Sequence, residues 1–250
     1  MSHLISVFKR EFRGYFATPV AYVFIVIFLF LTGLFTFNVS RFFDPRDPTG
    51  GQADLRPFFS WHPWLYLFLI PAVAMRLWSE ERKGGTVELL LTLPITGTQA
   101  IVGKFLAAWA FIGIALALTF PMVLTLLYLC DNPDMGPIFT GYMGSFLMAG
   151  AYLAIGECIS ALAKNQVVSF IISSVVCLLL VLAGYSVVQE FFRSWASAWF
   201  CDAISSVSFL THFDTMVKGL VPVSGLVFFA SLIVGWLAAC GVVLEVKKAV

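Results

Sequence analysis

The sequence predicts an all-helical protein threaded six times through a membrane, and three observations lead there. Of its 250 residues, 60% are hydrophobic and only 12% charged, against roughly 25% charged in an ordinary soluble domain. The mean hydropathy is +0.93. The charges that remain are clustered between uncharged runs of about 19 residues or more, the length that a hydrocarbon core of roughly 30 Å requires of a helix. One domain over residues 1–250 accommodates all of these runs.

Residues 1–18 place Leu4, Phe8, Phe12 and Tyr15 on one side of a helix, with Ser6, Lys9, Arg10 and Arg13 largely on the other. Such a segment predicts an amphipathic helix lying at the interface, basic residues toward anionic headgroups. It does not read as a signal peptide, because no small-residue cleavage site follows at the right distance. Thr18-Pro19 marks the bend into the first span, residues 20–39, and a loop at 41–56 follows with Pro45, Pro48, Gly50 and Gly51. The second span, 57–78, is entered through Trp61, His62 and Trp64, an aromatic group suited to the headgroup region. His62 is therefore expected as an interface residue rather than a ligand. Pro71 should kink this span.

The third span is expected at 105–130 with an internal bend at Pro121, and the composition of 131–137, DNPDMGP, predicts a tight turn. The fourth span covers 138–162, and Lys164-Asn165-Gln166 turns the chain into the fifth, 167–188. Residues 189–223 are aromatic, but Glu190, Arg193, Asp202, Asp214 and Lys218 divide them into pieces too short to span. A re-entrant or interfacial pair of helices on the outer side accommodates both facts if its turn is covered by protein or water; an ordinary amphipathic outer loop is the alternative. The sixth span is expected at 225–244.

Six spans put both termini on one side. With the termini inside, Lys9, Arg10, Arg13, Arg76, Arg82, Lys83, Lys104, Lys164, Lys247 and Lys248 are cytoplasmic, leaving Arg41, Arg46, Arg56, Arg193 and Lys218 outside. The positive-inside rule selects that orientation.

The longest polar interruption, residues 76–104, then faces the cytosol. Ser79 is expected to cap a helix whose first turn holds Glu80 and Glu81, since acids there oppose the positive end of the dipole. Gly84 and Gly85 allow a turn. From Thr86 the apolar Val87, Leu90 and Leu91 recur at i, i+3 and i+4 until Pro94 ends the helix. Fewer than about twelve residues do not hold a helix in water alone, so this one must dock, either on lipid headgroups or in a soluble partner.

Glu157 is the one acid clearly inside a membrane run, a costly placement and a functional candidate by default. It lies about two turns from Lys164, which leaves open a structural pairing or snorkelling role and a role in a substrate path or gate. Enzyme motifs are mostly absent. Residues 97–105 resemble a P-loop superficially, but the glycine spacing is wrong and Phe105 stands where a hydroxyl must bind magnesium. No H-E-x-x-H, G-x-S-x-G or C-x-x-C occurs, and His3, His62 and His212 are scattered, so no metal or cofactor site is expected. Cys130 and Cys201 both fall near the outer face, where a disulfide can form. No basic patch interleaved with aromatics suggests nucleic acid.

The run EERKGGTVELLLTLP, followed by QAIVGKF, resembles the region after the second transmembrane helix in ABC-2 type exporter permeases. There it forms the cytoplasmic coupling helix, and Glu81, Gly85, Thr86, Glu88, Leu89, Leu90, Thr92 and Pro94 match it, while Gly103 and Lys104 match the start of the third membrane helix. The start of the chain, KREFRGYFATPVAYVF, looks like the gliding-motility-associated branch; permeases of copper-processing systems share the GGTxxLLLTxP pattern. The resemblance implies an amino-terminal elbow helix beside the ATPase and a re-entrant hairpin before the last helix. It also implies a non-catalytic subunit in the bacterial inner membrane, with ATP and magnesium held by a partner ATPase dimer. A second permease copy or a sister permease would complete the path, and an outer-face accessory protein is a further partner. Glu81, Arg82 and Glu88 are then expected to make polar contacts at the ATPase joint, with Glu80 and Lys104 in the same coupling set. Glu157 and Cys158 depart from the apolar residues more usual in the family's fourth helix. A subunit that transmits motion without transport, and a scaffold or channel without an ATPase, are the alternatives.

Overall fold

The computed structural model describes residues 2–39, 55–85, 96–129, 134–193 and 198–246. Among these the chain is helical, with no strand.

Helix α1 (Ser2–Ala17) is followed at Pro19 by α2 (Pro19–Leu34), which widens into a π turn over Phe35–Val39. The Thr32 and Thr36 hydroxyls donate to the carbonyls of Phe28 (2.7 Å) and Thr32 (2.6 Å), the back-bonding that loosens a helix just where the wider turn begins. Only Ala21, Phe24, Phe28 and Thr32 of α2 are buried, so most of its circumference faces outward.

The expected second span is not one helix. It consists of α3 (Arg56–Ser60), α4 (His62–Ala74) and α5 (Arg76–Lys83), interrupted at Trp61 and again at Met75. Pro63 sits in the first turn of α4, where its missing N–H costs nothing. The second break falls one turn after Pro71. His62 is buried rather than interfacial: its ring lies 5.4 Å from Tyr66 and 4.6 Å from Phe58, edge on, within the packed aromatic interior. The aromatic group at 61–64 therefore serves packing between helices, a role that the same residues satisfy as readily as a headgroup belt.

Helices α6 (Gly97–Ala117) and α7 (Pro121–Leu129) form the third span, broken where Pro121 was expected to bend it. Helix α8 (Met135–Leu162) starts earlier than expected because Asp134 caps it, accepting from the Gly136 N–H at 2.9 Å. α8 is the axis of the molecule, packed against α4, α5 and α6, against α9 (Gln166–Leu182) and against the later helices over Phe209–Val217 and Val223–Val246. Its approach to α4 is so close that a Cβ at Gly156 would lie 2.5 Å from the Ala74 Cβ, the small-residue contact by which membrane helices pack.

The fifth span is shorter than its apolar run. α9 ends at Leu182, and the chain bends by 74° into α10 (Ser186–Arg193). α11 (Ala198–Ser206) and α12 (Phe209–Val217) follow, three short helices where a pair was expected. α12 is no surface loop, since Phe209, Phe213 and Met216 are fully buried. Its last turn is tied to α8 by the Thr140 hydroxyl, which donates to the Met216 carbonyl at 2.6 Å. α13 (Val223–Val246) closes the bundle.

Among the described residues four helices are long and apolar enough to cross a membrane, or five if the α9–α10 pair counts as one. The α4–α5 run, interrupted at Met75 and charged over α5, is not among them. Cys201 is a free buried thiol, and Cys130 lies outside the described residues.

Candidate functional site

Of the residues singled out in 76–104, the described ones, in 76–85 and at Lys104, gather near one end of α8. α5 begins at Arg76, three residues before Ser79, so Ser79 does not cap it. The cap comes from another helix. The Ser160 hydroxyl of α8 accepts from the backbone N–H groups of Trp78 (3.1 Å) and Ser79 (3.2 Å) and donates to the Met75 carbonyl (3.0 Å). One hydroxyl thus occupies the break between α4 and α5, satisfying groups that a helix start leaves without intrahelical partners. The Ser79 hydroxyl itself turns back to the Met75 carbonyl.

Beside this break lies a buried cation. Lys104 of α6 is only 3% exposed, and its Nζ stands 2.9 Å from Glu81 Oε1, 3.4 Å from Glu11 Oε1 of α1 and 5.2 Å above the Trp78 ring. Trp78 links this group to α8 by donating from Nε1 to Glu157 Oε1 at 3.1 Å. Glu157 is fully buried, and its Oε2 makes no hydrogen bond among the described residues. It does not snorkel toward Lys164; it faces inward. α1, α5, α6 and α8 are therefore joined by charge and hydrogen bonds at one point.

Arg82 and Glu80 tie α5 to the turn between α8 and α9. Arg82 donates to the carbonyls of Ala161 and Leu162, the latter at 3.0 Å, where the end of a helix favours a cation. Glu80 accepts from Gln166 Nε2 at 2.9 Å and lies 3.7 Å from Arg76 Nε. Gly85, with φ of +67°, adopts the left-handed turn that a residue bearing Cβ resists. The chain is described again from Thr96, which starts α6 with a reciprocal capping box: Gln99 N–H to Thr96 Oγ1 at 3.3 Å and Thr96 N–H to Gln99 Oε1 at 3.2 Å. The sequence-predicted site residues Thr86, Glu88, Leu89, Leu90, Thr92 and Pro94 lie outside the described residues.

α1 is held along a whole face. Leu4, Val7, Phe8, Glu11, Phe12, Tyr15 and Phe16 recur at helical spacing and are its shielded residues. Gly103 of α6 admits Val7 so closely that a Cβ there would lie 2.8 Å from the Val7 Cγ1. Tyr15 stacks on Phe111 at 5.0 Å. Burial, and then the nearby Glu11 carboxylate, push the Tyr15 hydroxyl above the usual tyrosine range.

Glu11, Trp78 and Ser160 escaped the sequence reading. Glu11 carried a legible signal, an acid on the apolar stripe of an otherwise basic helix. Ser160 carried none, because serine is unremarkable in a membrane helix until a helix break is placed beside it. The arrangement can transmit force: displacing α5 displaces the Lys104 contact on α6 and, through Trp78–Glu157 and Ser160, two contacts on α8. Among the described residues no group of three His, Cys, Asp or Glu could hold a metal.

Comparison with known protein families matches residues 5–244 to the model described as ABC-2 family transporter protein. No curated protein matches the chain.

Proposed function

Because the chain belongs to the ABC-2 family of transporter membrane proteins, we propose that it is the permease subunit through which a separate ATPase drives export across a bacterial inner membrane. On this reading residues 1–250 form a single transmembrane domain with both termini cytoplasmic. The broken α3–α5 run counts as its second span and α9 as its fifth, giving six. α1 is the elbow helix beside the ATPase, α10–α12 the re-entrant element on the outer side, and two permease copies, or this chain and a sister permease, enclose the path. ATP and magnesium belong to the ATPase dimer, and this chain holds no cofactor. The start of the chain favours the gliding-motility-associated branch.

The observation that carries the reading is the Glu11–Lys104–Glu81 cluster with its Trp78–Glu157 and Ser160 links. Segment 86–95 is the part that resembles a coupling helix. It is bounded by Gly85 at the end of α5 and by the Thr96 capping box of α6, so a push on it reaches α1, α6 and α8 through that cluster. Motion of this kind, one helical unit rocking against another, is the general logic of alternating access.

Purification of this chain from its source cells together with any ABC ATPase that accompanies it, followed by ATP hydrolysis in lipid nanodiscs, tests it. A stable complex whose hydrolysis depends on this chain and falls at least tenfold in Glu88→Arg is the expected result. A chain that is monodisperse alone, binds no ATPase and leaves its hydrolysis unchanged would refute it. At the other end of α9, the exposed Phe191 and Trp199 favour a second reading in which the motion is delivered to an outer-face partner; cross-linking from position 199 without measurable transport would select it.

A further inference from the structure

A cavity of about 400 Å³ lies between α1, α2, α4, α5 and α6, within the range of about 300–1,000 Å³ typical of ligand sites. Its two ends differ in chemistry. One is polar, lined by Glu11, Arg76, Glu80, Glu81 and Lys104, and the other is apolar, lined by Val20, Val23, Ile27 and Leu69. Val20, Val23 and Ile27 are 44%, 55% and 41% exposed on α2, a helix long and apolar enough to span a membrane. The apolar end therefore opens sideways, in the direction of lipid rather than water. The polar end lies at the Lys104 cluster, where α1 and α5 pack against α6 beyond the apolar run of α2, the height at which headgroups sit when α2 spans a bilayer.

We propose that this groove is a binding site for a phospholipid with a primary ammonium in its headgroup, the acyl chain lying along α2. The charges decide the headgroup. Lys104 is already held between Glu81 and Glu11 and is almost fully buried, which leaves Arg76 as the cation facing the polar end. Its side chain is 40% exposed and its ion pair with Glu80 is long, 3.7 Å, so the exposed part of the guanidinium can take a phosphate oxygen at a shorter distance. Glu80 keeps a side chain 53% exposed and presents a carboxylate to an ammonium. A headgroup with phosphate and ammonium answers both. A purely anionic headgroup meets Arg76 but is repelled by a lining in which three carboxylates outnumber two cations. A lipid seated there would bridge α2 to α5 and α1, next to the cluster that joins α1, α5, α6 and α8. The site rests on the chain lying in a membrane but not on its having an ATPase.

The test is lipid retention. The chain is reconstituted in bilayers of equal phosphatidylethanolamine and phosphatidylglycerol, extracted in mild detergent, washed, and the lipids carried with it are counted by native mass spectrometry. Phosphatidylethanolamine should be retained about tenfold over phosphatidylglycerol, the factor that about 1.4 kcal/mol carries. Val23→Trp, which fills the groove from its exposed side and spares the packed core, should abolish that retention. Glu80→Gln should erase the preference between the two lipids, and Val242→Trp, on an exposed part of α13 away from the groove, should change nothing. Equal retention of the two lipids by the unaltered chain, or retention undiminished in Val23→Trp, would overturn the assignment. So would a groove found occupied by a protein partner with no lipid retained. No ATPase is present in the assay, so its failure would leave the permease reading standing.

Discussion

Replacing Lys104 by methionine probes the cluster most directly. The change keeps most of the side-chain volume in a position only 3% exposed, and removes the charge that separates Glu11 from Glu81. Breaking a buried pair from one side costs about 3–5 kcal/mol, because the partner stays buried without compensation. Both glutamate side chains are 21% exposed and keep part of their hydration, which places the loss at the lower end, about 3 kcal/mol. Arg10 remains 2.7 Å from Glu11 and can hold that acid, so Glu81 carries most of the loss. With about 2–4 °C per kcal/mol for a chain of 150–250 residues, the melting midpoint in detergent should fall by about 6–12 °C. The second arm is Lys104→Met with Glu81→Gln, in which the stranded carboxylate is neutralised; at least half of the lost stability should return. A midpoint within 1 °C of the unaltered chain, or a double variant no more stable than the single, would refute the claim that the cluster is a cohesive joint.

Three further outcomes follow from the same contacts. Ser160→Ala leaves the Trp78 and Ser79 N–H groups without their acceptor and should cost about 1–3 kcal/mol in the same melting experiment, with Ser231→Ala on α13 as a silent control. Glu157→Gln keeps an oxygen for the Trp78 indole and should melt with the unaltered chain, whereas Glu157→Ala removes that acceptor and should lose about 1–3 kcal/mol; equal melting of the two would show that the hydrogen bond contributes nothing. Gly156→Ala forces α4 and α8 apart and should cost about 1–3 kcal/mol, while Gly33→Ala, with nothing within 4 Å, should be harmless.

The class of this protein was legible before any coordinates. Uncharged runs of about 20 residues match a helix that crosses lipid with its own backbone hydrogen bonds satisfied, being about twice the length a barrel strand needs, and the ends of α2, α8 and α13 fall close to the ends of those runs. Pro19 and Pro121 likewise marked real boundaries, because proline cannot continue a helix from within. Lys104, Glu81 and Arg82 stood out as charges flanking apolar runs. Their partners did not, for partnership is a property of three dimensions. That Lys104 would be buried between acids of α1 and α5, that a serine of α8 would cap a helix 82 positions away, and that His62 would leave the interface for an aromatic interior were decided by which helices pack together. Sequence patterning reports how each segment meets its solvent. Only the assembled bundle decides which polar groups face each other once that solvent is gone.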